Sequence, residues 1–209
     1  MTNTELPNSE VPNGEVPNGE VQSDEPHPGA VHSTGTSAPR TGTLPEIVRP
    51  EAPEHGPERE SLDGFLDWQR ASVVWKATGL SDADAARQLL PSITTVSGLI
   101  RHLADVERSW FRDVLAGEKD VPARWTDDDP DGEFRVTAAD SLAEIIADYE
   151  LACAESRAVA ARFALDDLSA GRDHRFSLRW ILIHLIEETA RHLGHIDVLR
   201  ELLDGAVGE

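Results

Sequence analysis

Three ionisable side chains of this sequence could hold a metal ion: His102, Glu188 and His192. Glu188 and His192 are four residues apart, so on an α-helix both side chains lie on one side and can reach the same ion. Two histidines and one glutamate are the ligand set of a catalytic zinc or similar divalent ion, which keeps one coordination position open for water or substrate. These residue types therefore predict a nucleophile or substrate activated by a metal ion.

The segment around Glu188 and His192 has the period of an α-helix. At about 100° per residue, with His184 at zero, an apolar stripe covers about 60° to 120°. His192 falls near 80°, inside this stripe, and Glu188 falls near 40°, at its edge. The stripe consists of Leu178, Ile181, Leu185, Ile196, Leu199 and Leu203. An unpaired buried carboxylate is costly, so Glu188 needs a cation. Either a metal ion or an arginine such as Arg191 could supply that charge.

The third candidate ligand, His102, lies on another predicted helix, beside an apolar face at about 40° to 100° from it. That face consists of Leu99, Leu103, Val106 and Trp110. His184 and His195 remain alternative ligands or outer neighbours of the site, because they fall near 0° and 20° on the helix of Glu188 and periodicity does not separate them from the chosen pair. A histidine beside an apolar face is also often only a hydrogen-bonded core residue.

The elements that must position these residues are predicted to be helices. After residue 60 apolar residues recur at helical spacing, over about 61–79, 95–117, 137–164 and 177–203. Ser61 is the predicted N-cap of the first helix, Gly79 and Gly205 are predicted helix ends, and a short helix follows Ser81. No segment alternates polar and apolar residues long enough to be a strand. We therefore predict an all-α four-helix bundle with a long connection between the second and third long helices.

The first part of the chain differs from the rest in composition. Residues 1–60 contain 10 of the 13 prolines and no aromatic residue, and the pentapeptide EVPNG occurs twice in tandem, at residues 10–14 and 15–19. Such a segment cannot bury enough apolar surface to offset the entropy of ordering. We therefore predict a disordered acidic tail over residues 1–57 and the bundle over residues 58–209.

Charge and composition exclude several classes of partner. The formal net charge of -20 argues against nucleic acid and against an anionic membrane surface, because both attract clustered Lys and Arg. The sequence has no apolar run of spanning length and its N-terminus does not look like a signal peptide, so we expect a cytoplasmic protein. Its single cysteine, Cys153, excludes an internal disulfide and is expected to be a buried structural thiol. A homodimer is compatible with a helical bundle.

The connection between the second and third long helices is acidic. Asp127, Asp129, Asp131 and Gly132 match four positions of a calcium-binding EF-hand loop, but Ala138 stands where that loop needs a bidentate glutamate. A solvated acidic connector is therefore the preferred interpretation.

Three further side chains on the predicted helices have two interpretations each. Trp110 and Trp180 could line a pocket beside the metal, or they could simply belong to the core. Arg191 could anchor an anionic substrate or thiol, although the sequence contains no second feature that requires this role.

The stretches TTVSGLIRHLADVERSWF, Thr94–Phe111, and SLRWILIHLIEETARHLGHIDVLRELLDG, Ser177–Gly205, resemble the DinB superfamily, in particular its actinobacterial DinB-like members. The resemblance covers about residues 61–209. It implies a four-helix bundle with a divalent metal, zinc or alternatively nickel, held by one residue of the second helix and two residues four apart on the last. On this sequence that motif falls on His102, Glu188 and His192.

The identity of the middle residue points to one branch of that superfamily. Many DinB-like proteins have three histidines, whereas Glu188 matches the arrangement of the mycothiol-dependent maleylpyruvate isomerase. This resemblance implies that the thiol of mycothiol binds the metal and becomes a nucleophile at neutral pH. We therefore expect a metal-dependent enzyme that transfers a thiol to a small electrophilic substrate or isomerises it. The alternative is a non-catalytic DinB-like stress protein that binds a metal or a ligand.

Overall fold

The chain forms a bundle of four long helices, and the computed structural model describes residues 49–171 and 175–207. The α-helices are α1, Glu58–Ala77; α2, Asp82–Ala85; α3, Val96–Arg108; α4, Leu142–Ala160; and α5, Leu178–Asp204. A π-helical segment, Ser109–Leu115, continues α3, and a 3-10 turn, Gly132–Phe134, lies in the connection to α4. The described residues contain no strand, only an isolated bridge between Leu168 and Ser177. The predicted all-α four-helix bundle is confirmed.

Helix ends that depend on local capping lie where the sequence predicts them. The side chains of Thr95 and Ser177 accept hydrogen bonds from the backbone N–H groups of Gly98 and Trp180 at the starts of α3 and α5. Gly205 ends α5 with a left-handed backbone, φ 78°, a conformation that glycine adopts without steric cost. These motifs involve residues three or four positions apart, so the sequence alone identifies them.

The first helix begins earlier than predicted, at Glu58 rather than after an N-cap at Ser61. The guanidinium group of Arg59 donates hydrogen bonds to the carbonyl oxygens of Ala160, the last residue of α4, at 3.1 Å and of Phe163, just beyond α4, at 3.0 Å. These bonds tie the first turn of α1 to the C-terminal end of α4. The prediction for Ser61 is wrong because this stabilisation comes from a distant segment.

The fourth α-helix is shorter than the predicted range 137–164. The carboxylate of Asp140 accepts hydrogen bonds from the backbone N–H and the hydroxyl of Thr137, which closes a turn ahead of the helix. The backbone N–H of Leu142, the first residue of α4, donates to the carboxylate of Asp82 in α2 at 2.8 Å. Ser141 is the N-cap of α4, and its hydroxyl accepts a hydrogen bond from the backbone N–H of Glu144. The aspartate turn and the contact with Asp82 hold the chain ahead of this cap, and none of these contacts changes the apolar period.

The predicted disordered tail falls mostly on residues 1–48, which lie outside the described residues. Residues 49–57 contact α1. The guanidinium carbon of Arg49 lies 4.2 Å from the centre of the Trp75 ring, and its Nη1 donates to the hydroxyl of Ser72 at 3.0 Å. A β-carbon on Gly64 would lie only 2.5 Å from Pro53, so this glycine permits the close approach. Packing thus begins just ahead of α1.

The core lies between the helices that carry the candidate site. α5 packs along α1 and α3, and α3 packs along α4. The apolar stripe predicted for α5 is buried at Leu178, Ile181, Leu185, Ile196 and Leu199, each at most 1% exposed. Burial of this stripe fixes the rotation of α5 about its own axis. The side of α5 that adjoins the stripe therefore faces α3. None of the helices in the described part of the chain combines the length and the apolarity that crossing a bilayer requires.

Candidate functional site

The structure brings together the three side chains singled out by the sequence. His102 of α3 and Glu188 and His192 of α5 each offer one donor atom, and these atoms all lie within 4.8 Å of one another. Glu188 Oε1 lies 3.0 Å from His192 Nε2 and 3.4 Å from His102 Nε2. The two imidazole rings meet edge to face, with their centres 4.7 Å apart. The packing of α3 on α5 thus completes a set of converging donor atoms.

Each histidine of this cluster has a partner for its other ring nitrogen. His102 Nδ1 lies 3.1 Å from Glu133 Oε1, and His192 Nδ1 lies 3.4 Å from His195 Nδ1. When the two outer nitrogens carry the protons and donate them, both Nε2 atoms are left with lone pairs that face the Glu188 carboxylate. Three lone pairs at this separation repel one another, and a cation between them would remove that repulsion.

The electrostatics of the cluster favour the protonation states that a metal ion needs. Burial alone would raise the pKa of Glu188, but the proximity of His192 and His102, whose protonated forms attract the carboxylate, outweighs burial and holds this pKa below its ordinary value. Burial, together with the charge of His102, lowers the pKa of His192 despite the opposing effect of Glu188. At neutral pH the cluster therefore presents a carboxylate and a neutral imidazole, the forms that bind metals.

Arg191 is the alternative partner of Glu188 that the sequence left open. Its Nη1 atom lies 3.6 Å from Glu188 Oε2, and its guanidinium also pairs with Glu187. The Arg191 side chain is 57% exposed, whereas that of Glu188 is 14% exposed. Arg191 therefore contacts the carboxylate oxygen on the solvent side, while the other oxygen, Oε1, faces the two histidines.

Glu133, which holds His102, was not identified from the sequence. It lies in the 3-10 turn of the long connection, is 5% exposed, and its Oε2 has no hydrogen-bond partner among the described residues. Two glycines allow the turn to approach. A β-carbon on Gly98 of α3 would lie 3.3 Å from Phe134, and one on Gly132 would lie 2.1 Å from the carbonyl oxygen of Arg124. The sequence signal for this packing is limited to the two glycines, Gly98 in α3 and Gly132 directly before Glu133, and neither identifies Glu133 as the partner of His102.

The two alternative histidines lie outside the cluster. His184 packs against Trp110 and Trp180, with ring centres 4.6 Å and 5.1 Å away. His195 contacts His192 from the exposed side of α5. The core interpretation of the two tryptophans does not hold for Trp180, which is 44% exposed, whereas Trp110 is half-buried.

The other candidate sites do not form comparable clusters. Asp129 of the acidic connector pairs with Arg135 at 2.6 Å, and the described residues contain one group of three or more potential ligands, the cluster of His102, Glu188 and His192. Cys153 is buried, as predicted, and burial with the nearby charge of Glu107 raises the pKa of its thiol well above the ordinary value. A thiol in this state is a poor nucleophile at neutral pH.

Comparison with known proteins adds two similarities. Residues 61–205 match the model of the family described as mycothiol-S-transferase. A conserved protein from Enterococcus faecalis, known from its crystal structure, aligns with 72% of this chain over 99% of its own length, with a TM-score of 0.53 and 16% sequence identity. At that identity the likeness shows a shared fold alone. The curated proteins gave no match.

Proposed function

Because the chain belongs to the mycothiol S-transferase family, a DinB-like family, we propose that it transfers the thiol of mycothiol to a small electrophilic molecule. The observation that carries this proposal is the convergence of three ligand atoms, from His102, Glu188 and His192, within 4.8 Å. The proposed place of action is the cytoplasm, where low-molecular-weight thiols stay reduced.

We propose that His102, Glu188 and His192 hold a divalent ion. Nitrogen and carboxylate oxygen donors suit zinc, and nickel accepts the same set. Three protein ligands leave a position open, as in catalytic rather than closed structural sites. A bound ion would lower the pKa of a thiol at that position, so that thiolate is available at neutral pH.

The surrounding side chains have defined tasks in this proposal. The hydrogen bond to Glu133 fixes the tautomer of His102 and the orientation of its ring. Stacking of the His102 ring on Phe134, with centres 5.0 Å apart, restricts the ring further. The three ligand side chains are 14–19% exposed, which leaves one side of the cluster open to solvent. A small thiol could approach from that side.

Metal analysis combined with an activity assay tests the proposal. The purified protein should contain about one equivalent of zinc or nickel, as three ligands in one cluster imply. It should consume mycothiol in the presence of 1-chloro-2,4-dinitrobenzene, lose this activity in chelator, and regain it on adding the metal. Bound metal without thiol consumption would instead identify a non-catalytic metal-binding protein. Less than a tenth of an equivalent of any transition metal would contradict the proposed site.

Glu133→Ala should weaken metal binding by about 10- to 100-fold, because His102 loses the group that orients it. Competition with a chromogenic chelator measures this affinity. Glu150→Ala is the matched control, since Glu150 is an exposed glutamate on α4 and its removal should leave the affinity unchanged. Equal affinity in the Glu133 and Glu150 variants would show that the contact with Glu133 does not support the ligand.

A further inference from the structure

Asp105 of α3 holds the connection to α4 from inside the bundle. Its side chain lies nearly one helical turn after His102 and is buried, with the residue 3% exposed. The Oδ2 atom of Asp105 accepts a hydrogen bond from the backbone N–H of Arg124 at 3.0 Å, and Oδ1 accepts one from the guanidinium of the same residue. One buried carboxylate on the helix of His102 thus binds both the main chain and the side chain of the connection.

Arg124 in turn packs against the start of the 3-10 turn. A β-carbon on Gly132 would lie 2.1 Å from the carbonyl oxygen of Arg124, so the two peptide units are in close contact. Between them, Thr126 and Asp129 exchange backbone hydrogen bonds at 3.0 Å and 3.2 Å, and the carbonyl oxygen of Asp129 accepts another from Gly132 at 3.3 Å. Residues 124–132 therefore form a closed loop, and its position depends on where Arg124 is held.

The other end of this segment is held by a second residue of α3. Arg101 Nη1 donates a hydrogen bond to the carbonyl oxygen of Arg135 at 3.0 Å. Arg101 and Asp105 are four residues apart, so they lie on one side of α3. The Arg101 side chain is 17% exposed and that of Asp105 is 3% exposed. Since hydrogen bonds to a buried charged group are among the stronger ones, Asp105 is the firmer of the two anchors.

The carboxylate of Glu133 depends on this support from the backbone. Its Oε1 atom lies 3.1 Å from His102 Nδ1, and its Oε2 atom has no hydrogen-bond partner among the described residues. Side-chain partners therefore do not fix Glu133 independently of His102. The turn that carries Glu133 has to place the carboxylate.

We propose that Asp105 is a positioning residue of the candidate metal site: by anchoring Arg124, it places Glu133 within hydrogen-bond distance of His102. This inference rests on the proposed function, in which His102 presents Nε2 to the ion. Asp105 itself does not contact the ion. It acts through two intervening segments, the closed loop and the 3-10 turn.

Zinc affinity in a double-mutant cycle tests whether Asp105 acts through Glu133. Asp105→Ala should weaken zinc binding about tenfold, the lower end of the range for residues that orient a ligand, because Arg101 still holds the other end of the segment. In the Glu133→Ala background the same change should have no further effect, since the group that Asp105 places is gone. Asp105→Asn keeps an oxygen acceptor for the Arg124 N–H and should recover most of the affinity. Asp128→Ala, at an exposed position of the connection, should leave the affinity unchanged.

Hydrogen exchange followed by NMR in the chelated protein provides a measurement that needs no metal. In the wild type the Arg124 amide, bonded to a buried carboxylate, should exchange at least about tenfold more slowly than the amide of Asp128. Asp105→Ala should remove this difference.

The two measurements separate the inference from the proposed function. Equal exchange at Arg124 and Asp128 in the wild type, wild-type zinc affinity in Asp105→Ala, or losses that multiply in the double variant would each overturn the positioning role and leave thiol transfer intact. A wild type that binds no zinc, but whose Arg124 amide is protected and loses this protection in Asp105→Ala, would overturn the proposed function and support the anchoring by Asp105.

Discussion

Glu188→Ala is expected to lower metal affinity by more than about 100-fold. Loss of a residue that only orients a ligand already lowers affinity about 10- to 100-fold, and Glu188 is itself a proposed ligand. The purified variant should then contain less than a tenth of an equivalent of metal and should show no detectable thiol transfer. Mass spectrometry of the metal content and the mycothiol assay measure the two effects. The histidines alone offer two nitrogens, too few for a stable catalytic site.

Two further variants separate loss of the ligand from damage to the fold. Glu187→Ala makes the same chemical change at the neighbouring position, where the side chain is 52% exposed, and should retain the metal. Glu188→His replaces the carboxylate with another ligand and should recover binding. Retention of metal by Glu188→Ala at the wild-type level would show that the cluster is not the binding site.

Chelation supplies an independent readout through stability. An ion that binds only the folded state stabilises it by about 2.7 kcal/mol at a free concentration 100 times Kd. EDTA should therefore lower the Tm of the wild type but not that of Glu188→Ala. An unchanged wild-type Tm on removal of bound metal would contradict a buried ligand role for Glu188.

A buried ion pair joins α1 to α3. Arg70 donates two hydrogen bonds to the carboxylate of Glu107, at 2.7 Å and 2.6 Å, and the side chains are 6% and 1% exposed. Arg70 also donates to Asp67 at 2.9 Å. Burial disfavours the charged form, but Glu107 outweighs burial and raises the pKa of Arg70. The arginine therefore remains charged inside the bundle and depends on Glu107.

Glu107→Ala should lower the free energy of unfolding by about 3–5 kcal/mol, because it leaves a buried charge without its principal partner. For a domain of this size that corresponds to a fall in Tm of roughly 6–20 °C. Urea unfolding of the chelated protein measures the effect apart from metal binding. Loss of less than about 1 kcal/mol would contradict a charged, buried pair.

Two controls identify the unpaired charge as the cause. Replacing both residues with apolar ones, Arg70→Met with Glu107→Leu, should recover most of the lost stability, since no uncompensated charge remains. Arg87→Ala breaks an ion pair with Asp84 in which the arginine is 53% exposed, and it should cost less than about 1 kcal/mol.

The sequence was sufficient wherever the deciding interactions are local. Helical hydrogen bonds join residues four apart, so the apolar period of α5 located the buried stripe and placed Glu188 and His192 on one side of the helix. Caps act over a similar range, which is why the predicted helix starts at residues 95 and 177 and the predicted end at Gly205 agree with the structure. His102 could be proposed because its position on its own helix shows that it flanks the face that packs.

Tertiary structure decided the features that join distant segments. Arg59 contacts the end of α4, and Asp82 contacts Leu142 at the start of α4; both contacts support helix ends that the sequence analysis placed wrongly. The contact of Glu133 with His102 spans 31 residues, and that of Arg70 with Glu107 spans 37. The apolar periodicity around any one of these four residues does not indicate which distant residue it contacts. The partners in these two contacts meet only because the helices pack at a particular rotation and because Gly98 and Gly132 leave room for close packing. The formation of each helix, in contrast, depends on residues that are close in sequence.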